Sequence, residues 1–324
     1  MQDRDSDNRP TTRRVARAVP SNARERLWRA SDGHRIRTIQ WAPPDGQPRG
    51  SILFMPGRGA FYEKYLETFE HWRQQGWQVG AADWRGQAGS GRLGSDETTG
   101  HVDDFGIWTR DLGEFWDYWS ETVPQPRILA GHSMGGHLAL RAVAEGVVKP
   151  DALMLSAPML GFLPESVPLA VGAGLAAVMR RIGDPKRPAW KKSEKPGAHL
   201  DARITLLTHD EERYEDEADW IRQRPVLNMG PGSWGWLTAA IDSARYLEQP
   251  GRLETVDVPT FIFGTSADLL VGFKAIERAA ARIPQAQFMP FGKEARHEIL
   301  REVDAVRNRA LDGIDSFLDG QFPR

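Results

Sequence analysis

The 324-residue sequence contains no cysteine. Disulfide bonds, thiolate nucleophiles and cysteine-ligated metal sites are therefore excluded, and a reducing compartment such as the cytoplasm is the expected location. Long hydrophobic runs are missing too. The longest, residues 167–179, is interrupted by glycine and is shorter than the ~20 residues that a membrane span needs. We therefore expect no membrane span.

A dominant charge of one sign is also absent, because 42 Lys and Arg nearly balance 44 Asp and Glu to give a net charge of −2. This balance predicts neither a nucleic-acid partner nor strong attraction to an anionic surface. The eight histidines show no spacing typical of a metal site, so no metal or other cofactor is expected. Residues 1–25 are polar and lack the apolar centre of a secretory signal, which predicts a disordered tail.

The most informative stretch is the pentapeptide Gly-His-Ser-Met-Gly at residues 131–135. An apolar, strand-like run precedes it, and an apolar pattern of helical spacing follows it. This is the arrangement of a nucleophile elbow, a strand-to-helix turn so sharp that only glycine fits on either side of the serine. An ordinary glycine-rich turn is the alternative for the pentapeptide alone, but its context favours the elbow. Ser133 is therefore the candidate nucleophile.

Strand and helix patterns alternate along most of the chain, which predicts a mostly parallel sheet with helices on both faces. Ligands bind such sheets at the carboxyl ends of the strands. Between residues 159 and 234 strand-length runs are missing and helical patterns take their place, so we predict a helical cap inserted over the site. The predicted organisation is a tail at 1–25, a core at 26–158, the cap at 159–234 and the rest of the core at 235–324.

A serine nucleophile needs a base and an acid, which in this kind of fold follow it in the order acid, then histidine. His297 follows the last predicted strand, whereas His137 lies beside the serine motif and the two histidines at 199 and 209 lie in the predicted cap. Asp268 follows the carboxyl end of the strand at 259–263, while Asp257 precedes that strand. We predict His297 as the base and Asp268 as the acid, with a helix-capping role as the alternative for Asp268.

Hydrolysis through a serine also needs donors for the developing oxyanion, and one such donor is worth about 2.7–4 kcal/mol of barrier. The Met134 N–H, next to the nucleophile, is the first candidate. The second is the Arg58 or Gly59 N–H in the Pro-Gly-Arg-Gly turn at residues 56–59. Both donors are backbone groups, so the side chains need not take part.

Two further features favour a structural role. We expect Asp83 and Arg85 to pair with each other and to fix a loop beside the site. Trp234, Trp236 and the apolar run at 167–179 are interpreted as core, with an acyl-chain pocket as the alternative.

Five blocks in order resemble the lysophospholipase and monoacylglycerol lipase branch of the α/β-hydrolases. They are Pro-Gly-Arg-Gly-Ala-Phe-Tyr-Glu-Lys-Tyr at 56–65, Asp-Trp-Arg-Gly-Gln at 83–87, Gly-His-Ser-Met-Gly-Gly at 131–136, Gly-Thr-Ser-Ala-Asp at 264–268 and Ala-Arg-His-Glu at 295–298. The resemblance implies the α/β-hydrolase fold, no cofactor, and a triad with backbone oxyanion donors: Ser133, Asp268 and His297, with the Arg58 and Met134 amides. One departure is Pro56, where many members have histidine.

The expected function is hydrolysis of carboxylic esters of fatty acids, either lysophospholipids or monoacylglycerols, through an acyl-enzyme. The expected partner is thus a small acyl ester, without nucleic acid and with transient membrane contact through the cap. One alternative is a general carboxylesterase or an acyltransferase that acts on short-chain or non-lipid esters. Another is a non-catalytic ligand-binding protein of the same fold. The oligomeric state does not follow from the sequence.

Overall fold

The computed structural model describes residues 18–165, 169–190 and 200–324. Most of the predicted tail, the start of the apolar run at 167–179 and His199 lie outside the described residues. Eight strands of the described chain form one sheet, and their bounds are β1 (Arg24–Arg29), β2 (Arg35–Trp41), β3 (Gly50–Met55), β4 (Trp77–Ala82), β5 (Arg127–His132), β6 (Ala152–Ser156), β7 (Thr260–Thr265) and β8 (Ala286–Phe291).

The strand order is β1-β2-β4-β3-β5-β6-β7-β8. β1 pairs antiparallel with β2, and β2 antiparallel with β4, while all pairs from β4 to β8 are parallel. In register, Leu53 of β3 lies opposite Leu129 of β5, which lies opposite Leu153 of β6. The central strands are buried along their whole length, as expected for a sheet covered on both faces.

The described helices connect and cover these strands. Their bounds are α1 (Leu66–Gln74), α2 (Phe105–Ser120), α3 (Met134–Ala144), α4 (Leu169–Arg181), α5 (Leu200–Leu207), α6 (Glu211–Gln223), α7 (Trp234–Glu248), α8 (Phe273–Arg282) and α9 (Asp304–Gln321), with short 3-10 turns at Tyr62–Tyr65, Pro225–Leu227 and Ile299–Arg301.

Alternate residues of the central strands face opposite layers, as the period of two along a strand requires. One set packs against α2, α3, α7 and α8, and it includes Leu53, Leu129, Leu153 and Ile262. The other set packs against α1 and α9, and it includes Phe54, Ile128, Met154 and Phe261. The sheet is therefore the middle layer of three.

The segment between β6 and α7 holds α4, α5 and α6, and no strand in its described part. Its division from the core at 159 and 234 stays a prediction. At the amino end, β1 begins at Arg24, inside the range predicted as tail. None of the helices in the described ranges has the length and hydropathy of a membrane-spanning segment.

Candidate active site

Ser133 lies in the turn between β5 and α3 with φ 54° and ψ −119°. A positive φ is strained for a residue with a side chain, and such strain persists only where the surroundings fix the backbone. Here the Ser133 N–H donates to the Ser156 carbonyl at 2.9 Å, and the Ser133 carbonyl accepts the N–H groups of His137 and Met159 at 2.9 and 3.0 Å. The turn therefore has the geometry of the predicted elbow.

The glycines beside Ser133 are needed because backbones meet there. A Cβ atom on Gly131 would lie 2.6 Å from the carbonyl carbon of Gly135. A Cβ atom on Gly135 would lie 2.2 Å from the carbonyl oxygen of Met55, at the end of β3. Helix α3 can thus begin directly against β3 only while residue 135 has no side chain.

The structure brings Ser133, His297 and Asp268 together. The Ser133 hydroxyl donates to His297 Nε2, with 2.9 Å between Oγ and Nε2. On the other side of the ring, His297 Nδ1–H donates to Asp268 Oδ2 at 2.7 Å. Asp268 Oδ1 accepts the N–H groups of Leu270 and Val271 at 2.8 and 3.0 Å. This carboxylate is therefore held in one orientation and fixes the tautomer of the imidazole.

The electrostatics of the pair agree with its geometry. Burial alone would raise the pKa of Asp268, but His297 and the two amides hold the pKa of Asp268 below its usual value. Burial opposes the charged imidazolium, yet Asp268 beside it raises the pKa of His297 above its usual value. The pair is thus arranged to stabilise an imidazolium, which is what a general base becomes after it accepts the serine proton.

A second histidine, His132, lies behind His297 with 4.8 Å between the ring centroids. Burial, together with the nearby His297, lowers the pKa of His132 to about 3. His132 is therefore neutral near pH 7 and does not place a second positive charge beside the base.

The turn at residues 56–59, here called the oxyanion loop, lies beside the elbow. The Gly59 N–H donates to Gln87 Oε1 at 2.9 Å, which favours Arg58 over Gly59 as the second donor. Met134 is the first residue of α3, and the first N–H groups of a helix have no acceptor within it. The Arg58 guanidinium donates to the Gly230 carbonyl at 2.6 Å and lies over the Trp236 ring. The predicted donors are thus the Arg58 and Met134 amides, and their role stays a prediction.

The expected pairing of Asp83 with Arg85 is wrong. Asp83 accepts a hydrogen bond from Arg37 Nε on β2 at 2.6 Å. Arg85 forms a bidentate salt bridge with Asp111 on α2, at 2.7 and 2.6 Å. Neighbouring elements offer these side chains better-aligned partners than their own loop does. The two still fix the loop, but they fix it to different layers.

Two features that we interpret as core, Trp236 and the apolar run at 167–179, differ in burial. Trp236 is buried in the core against Phe105, with 6.1 Å between the ring centroids. In α4, Ala173 and Ala176 are buried against Ile241 of α7, whereas large apolar side chains on another part of the helix are exposed. The interpretation as core therefore fits Trp236 and the buried face of α4, and it is wrong for the exposed Val171, Leu175 and Val178 of the run.

Sequence reasoning missed a buried ion cluster next to His297. Lys64 Nζ donates to Glu298 Oε1 and to Glu217 Oε2, both at 2.6 Å. Despite burial, Lys64 and Arg301 hold the pKa of Glu298 well below its usual value. The only signal in the sequence is the glutamate directly after His297 in the Ala-Arg-His-Glu block. The cluster joins the loop that carries His297 to helix α6.

Comparisons with known proteins agree with this fold. The family model described as serine aminopeptidase, S33, matches residues 46–304, most of the chain. Lysophospholipase L2 of Escherichia coli K12 is 29% identical over 282 residues, which cover 83% of this chain and 80% of that protein. Monoglyceride lipase of Rattus norvegicus is 29% identical over 155 residues, 48% of this chain and 49% of that protein.

Among solved structures, a soluble variant of monoglyceride lipase from Saccharomyces cerevisiae superposes with a TM-score of 0.75 at 18% identity, covering 94% of this chain and 98% of the other. A carboxyl esterase from Bacillus coagulans gives a TM-score of 0.69 at 17% identity, covering 94% of this chain and 100% of the other. At such identities the likeness concerns the fold alone, and it confirms the fold class that the sequence predicts.

Proposed function

This chain belongs to the serine aminopeptidase S33 family of α/β-hydrolases, and from that premise we propose that it is a serine esterase for carboxylic esters of fatty acids. The observation that carries the proposal is the continuous hydrogen-bonded series from Ser133 Oγ to His297 and on to Asp268, at 2.9 and 2.7 Å. Nucleophile and base within this distance, with the base oriented by a third group, is the arrangement of covalent catalysis.

The geometry supports the following reaction. Ser133 Oγ attacks the acyl carbon while His297 Nε2 accepts the hydroxyl proton, and Asp268 stabilises the imidazolium. The carbonyl oxygen becomes an oxyanion that accepts hydrogen bonds from the Arg58 and Met134 N–H groups. His297 then gives its proton to the leaving alcohol, and the acyl group stays on Ser133. Water, activated by His297, releases the fatty acid by the reverse of these steps.

We propose single-chain lipids, either lysophospholipids or monoacylglycerols, as the substrates. The names of the relatives, lysophospholipase and monoglyceride lipase, support this class. The description of the family as aminopeptidases keeps a second candidate, hydrolysis of an amide bond at a peptide amino terminus, because the same acyl-enzyme chemistry serves both bonds. Transfer of the acyl group to an alcohol instead of water is a third outcome to measure.

Labelling with a fluorophosphonate tests the nucleophile. We expect one labelled site, Ser133, in the wild-type enzyme and none in Ser133→Ala; persistent labelling of that variant would contradict the assignment. A panel of nitrophenyl esters, monoacylglycerols, lysophospholipids and aminoacyl nitroanilides, with alcohol added as a competing acceptor, tests the substrate. Turnover of short esters alone would refute the lipid class.

We further propose that α4 touches the membrane from which a lipid substrate is taken. One face of the helix and the residue after it carry large apolar side chains at helical spacing, and Val171 and Leu175 are each 61% exposed. The full set is Val171, Leu175, Val178 and Ile182. Arg180 and Arg181 at the carboxyl end of α4 supply positive charge for anionic head groups.

Flotation with vesicles of phosphatidylcholine and phosphatidylglycerol tests this contact. We expect wild-type protein to float with the vesicles and Leu175→Ser with Val178→Ser to float less. Equal flotation of both proteins would refute it. We also propose a cytoplasmic location, in keeping with the cysteine-free sequence. Cell fractionation with compartment marker enzymes would test that location.

A further inference from the structure

The loop at residues 83–91 contains the Asp-Trp-Arg-Gly-Gln block but none of the triad, and it contacts the oxyanion loop at both ends. At one end, Trp84 Nε1–H donates to the Pro56 carbonyl at 2.8 Å. At the other end, Gln87 Oε1 accepts the Gly59 N–H at 2.9 Å. The peptide groups before and after the Gly57–Arg58 peptide, which carries the Arg58 N–H, are therefore each held by a side chain from the same neighbouring loop.

This neighbouring loop is itself rigidly held. The Gly86 N–H donates to the Ser90 carbonyl at 2.9 Å, and the Ser90 N–H donates back to the Gln87 carbonyl at 2.8 Å. Asp83, at the start of the loop, accepts from Arg37 of β2. A side chain that projects from such a loop has a fixed starting point, so its hydrogen bonds can orient another segment.

The two bonds to the oxyanion loop are also shielded from water. Trp84 and Gln87 are each only 2% exposed. A buried polar group that loses its partner cannot turn to water, which makes loss of such a bond expensive. Each bond therefore constrains its peptide group strongly.

Gln87 in addition reaches the second donor segment. Its Nε2 lies 3.9 Å from Met134 Sδ, and Met134 is fully buried at the start of α3. One glutamine side chain thus contacts the main chain of the oxyanion loop and the side chain of Met134, the residue that would supply the other donor.

We propose that Gln87 and Trp84 are positioning residues that hold the Arg58 amide where the oxyanion forms, an inference that rests on the ester hydrolysis proposed above. An oxyanion donor must lie about 2.7–3.1 Å from the position that the oxygen takes in the transition state. With the Pro56 carbonyl and the Gly59 N–H both fixed, the N–H of the intervening Arg58 has little freedom to turn away. Because the constraint acts on the oxygen position of the transition state, we expect it to affect kcat more than ground-state binding.

The variants Gln87→Met and Trp84→Phe remove one bond each and largely keep side-chain volume or ring. We expect kcat on a short nitrophenyl ester to fall about 10- to 100-fold, because a misplaced donor loses most of its effect. KM should stay nearly unchanged. The matched control is Gln78→Met. Gln78 is half-buried at the amino end of β4, away from the loop at 83–91, so this variant should keep wild-type kcat.

Two inhibitors separate positioning from general damage to the fold. A trifluoromethyl ketone, which forms a tetrahedral adduct with the serine, should lose affinity by the same factor as kcat. A non-hydrolysable ether analogue of the substrate should bind both variants as it binds wild type. If Gln87→Met fails to fold, Trp84→Phe decides the question.

The inference would be overturned if both variants kept wild-type kcat and wild-type affinity for the ketone. It would also be overturned if the variants lost affinity for the ether analogue by the same factor as for the ketone. If wild-type protein neither hydrolyses esters nor reacts with a fluorophosphonate at Ser133, both this inference and the proposed function fail. An active wild type with unaffected variants overturns the inference alone.

Discussion

The two described parts of the segment between β6 and α7 are attached to the molecule in different ways. Helices α5 and α6 are joined to the His297 loop by charges and buried hydrogen bonds: Glu217 pairs with Lys64, and the Leu207 carbonyl accepts the Glu298 N–H at 2.8 Å. Helix α4 packs on α7 through small apolar side chains such as Ala173 and Ala176. The α5–α6 part is thus fixed to the loop that carries His297, whereas α4 contacts the core through one apolar face, in keeping with the membrane contact proposed above.

The largest effect should come from removing the charge at the centre of the α5–α6 attachment. Lys64→Met leaves Glu217 and Glu298 buried without their shared cation, and we expect a loss of about 3–5 kcal/mol in the free energy of unfolding. Activity should fall with it, because Glu298 follows His297 directly. Urea unfolding measures the loss. Lys149→Met, at an exposed position after α3, is the control and should change stability by less than about 0.5 kcal/mol. A Lys64→Met protein as stable as the control would contradict this role of the cluster.

A smaller loss is expected from Arg213→Lys on α6. Arg213 binds Glu67 through Nε and Nη2 at 2.8 and 2.7 Å, and lysine cannot form this bidentate salt bridge. We expect destabilisation of about 1.5–3 kcal/mol, the range for hydrogen bonds to charged groups. The same helix offers a control in Arg222→Lys, since Arg222 is 70% exposed and its pair with Asp219 should matter little. Equal urea midpoints for the two variants would show that α6 is not held by this contact.

The next largest effect should be on the pH dependence of kcat/KM, which should respond to changes at the α5–α6 attachment and not to changes in α4. The proposed base, His297, would act in its neutral form, so we expect activity to be lost as the pH falls through its pKa. Asp268 raises the pKa of His297, which places this acid limb above the ordinary value of about 6.5. Glu298 also raises the pKa of His297.

Glu298→Gln, which keeps shape while it removes the charge, should therefore move the limb to lower pH. Substitutions in α4 should leave it in place. A limb that does not move in Glu298→Gln would show that the carboxylate does not act on the imidazole.

The smallest effects should follow from changes to the exposed face of α4. Leu175→Ser alters a side chain that is 61% exposed, so the free energy of unfolding should change by less than about 0.5 kcal/mol. Its kcat/KM on a water-soluble short ester should equal that of wild type, and only hydrolysis of lipid presented in vesicles should slow. Ala176→Ser, at a buried position of the same helix, is the contrasting variant and should lower stability more. A loss of short-ester activity in Leu175→Ser would show that α4 contributes to the catalytic geometry and would contradict this prediction.

Much of the sheet and the candidate triad follow from the sequence, because both depend on local patterns. Strand and helix periods set the order of the elements, and Asp268 and His297 stand out because each follows a strand at its carboxyl end. The Lys64 cluster does not follow in this way. Glu217 and Glu298 lie 153 and 234 residues after Lys64 in the sequence. Nothing in the sequence near Lys64 distinguishes a buried lysine from an exposed one.

The start of the last helix shows the same limit. The sequence predicts a helix from about residue 298, yet α9 begins at Asp304. Glu298 is bound to Lys64, and Glu302 accepts the Arg296 N–H at 2.8 Å, so these residues form a turn that serves tertiary contacts. The wrong pairing of Asp83 with Arg85 has a similar cause, since their partners come from β2 and α2.

The absence of a side chain at Gly135 has a further consequence. Because residue 135 has no side chain, the carbonyl oxygen of Met55 at the end of β3 lies directly against the main chain at the start of α3. At this point main chain sets the separation between the serine turn and the loop at 56–59. Substitution of side chains elsewhere around Ser133 should therefore leave that separation unchanged, so an engineer could vary them without rebuilding the serine turn.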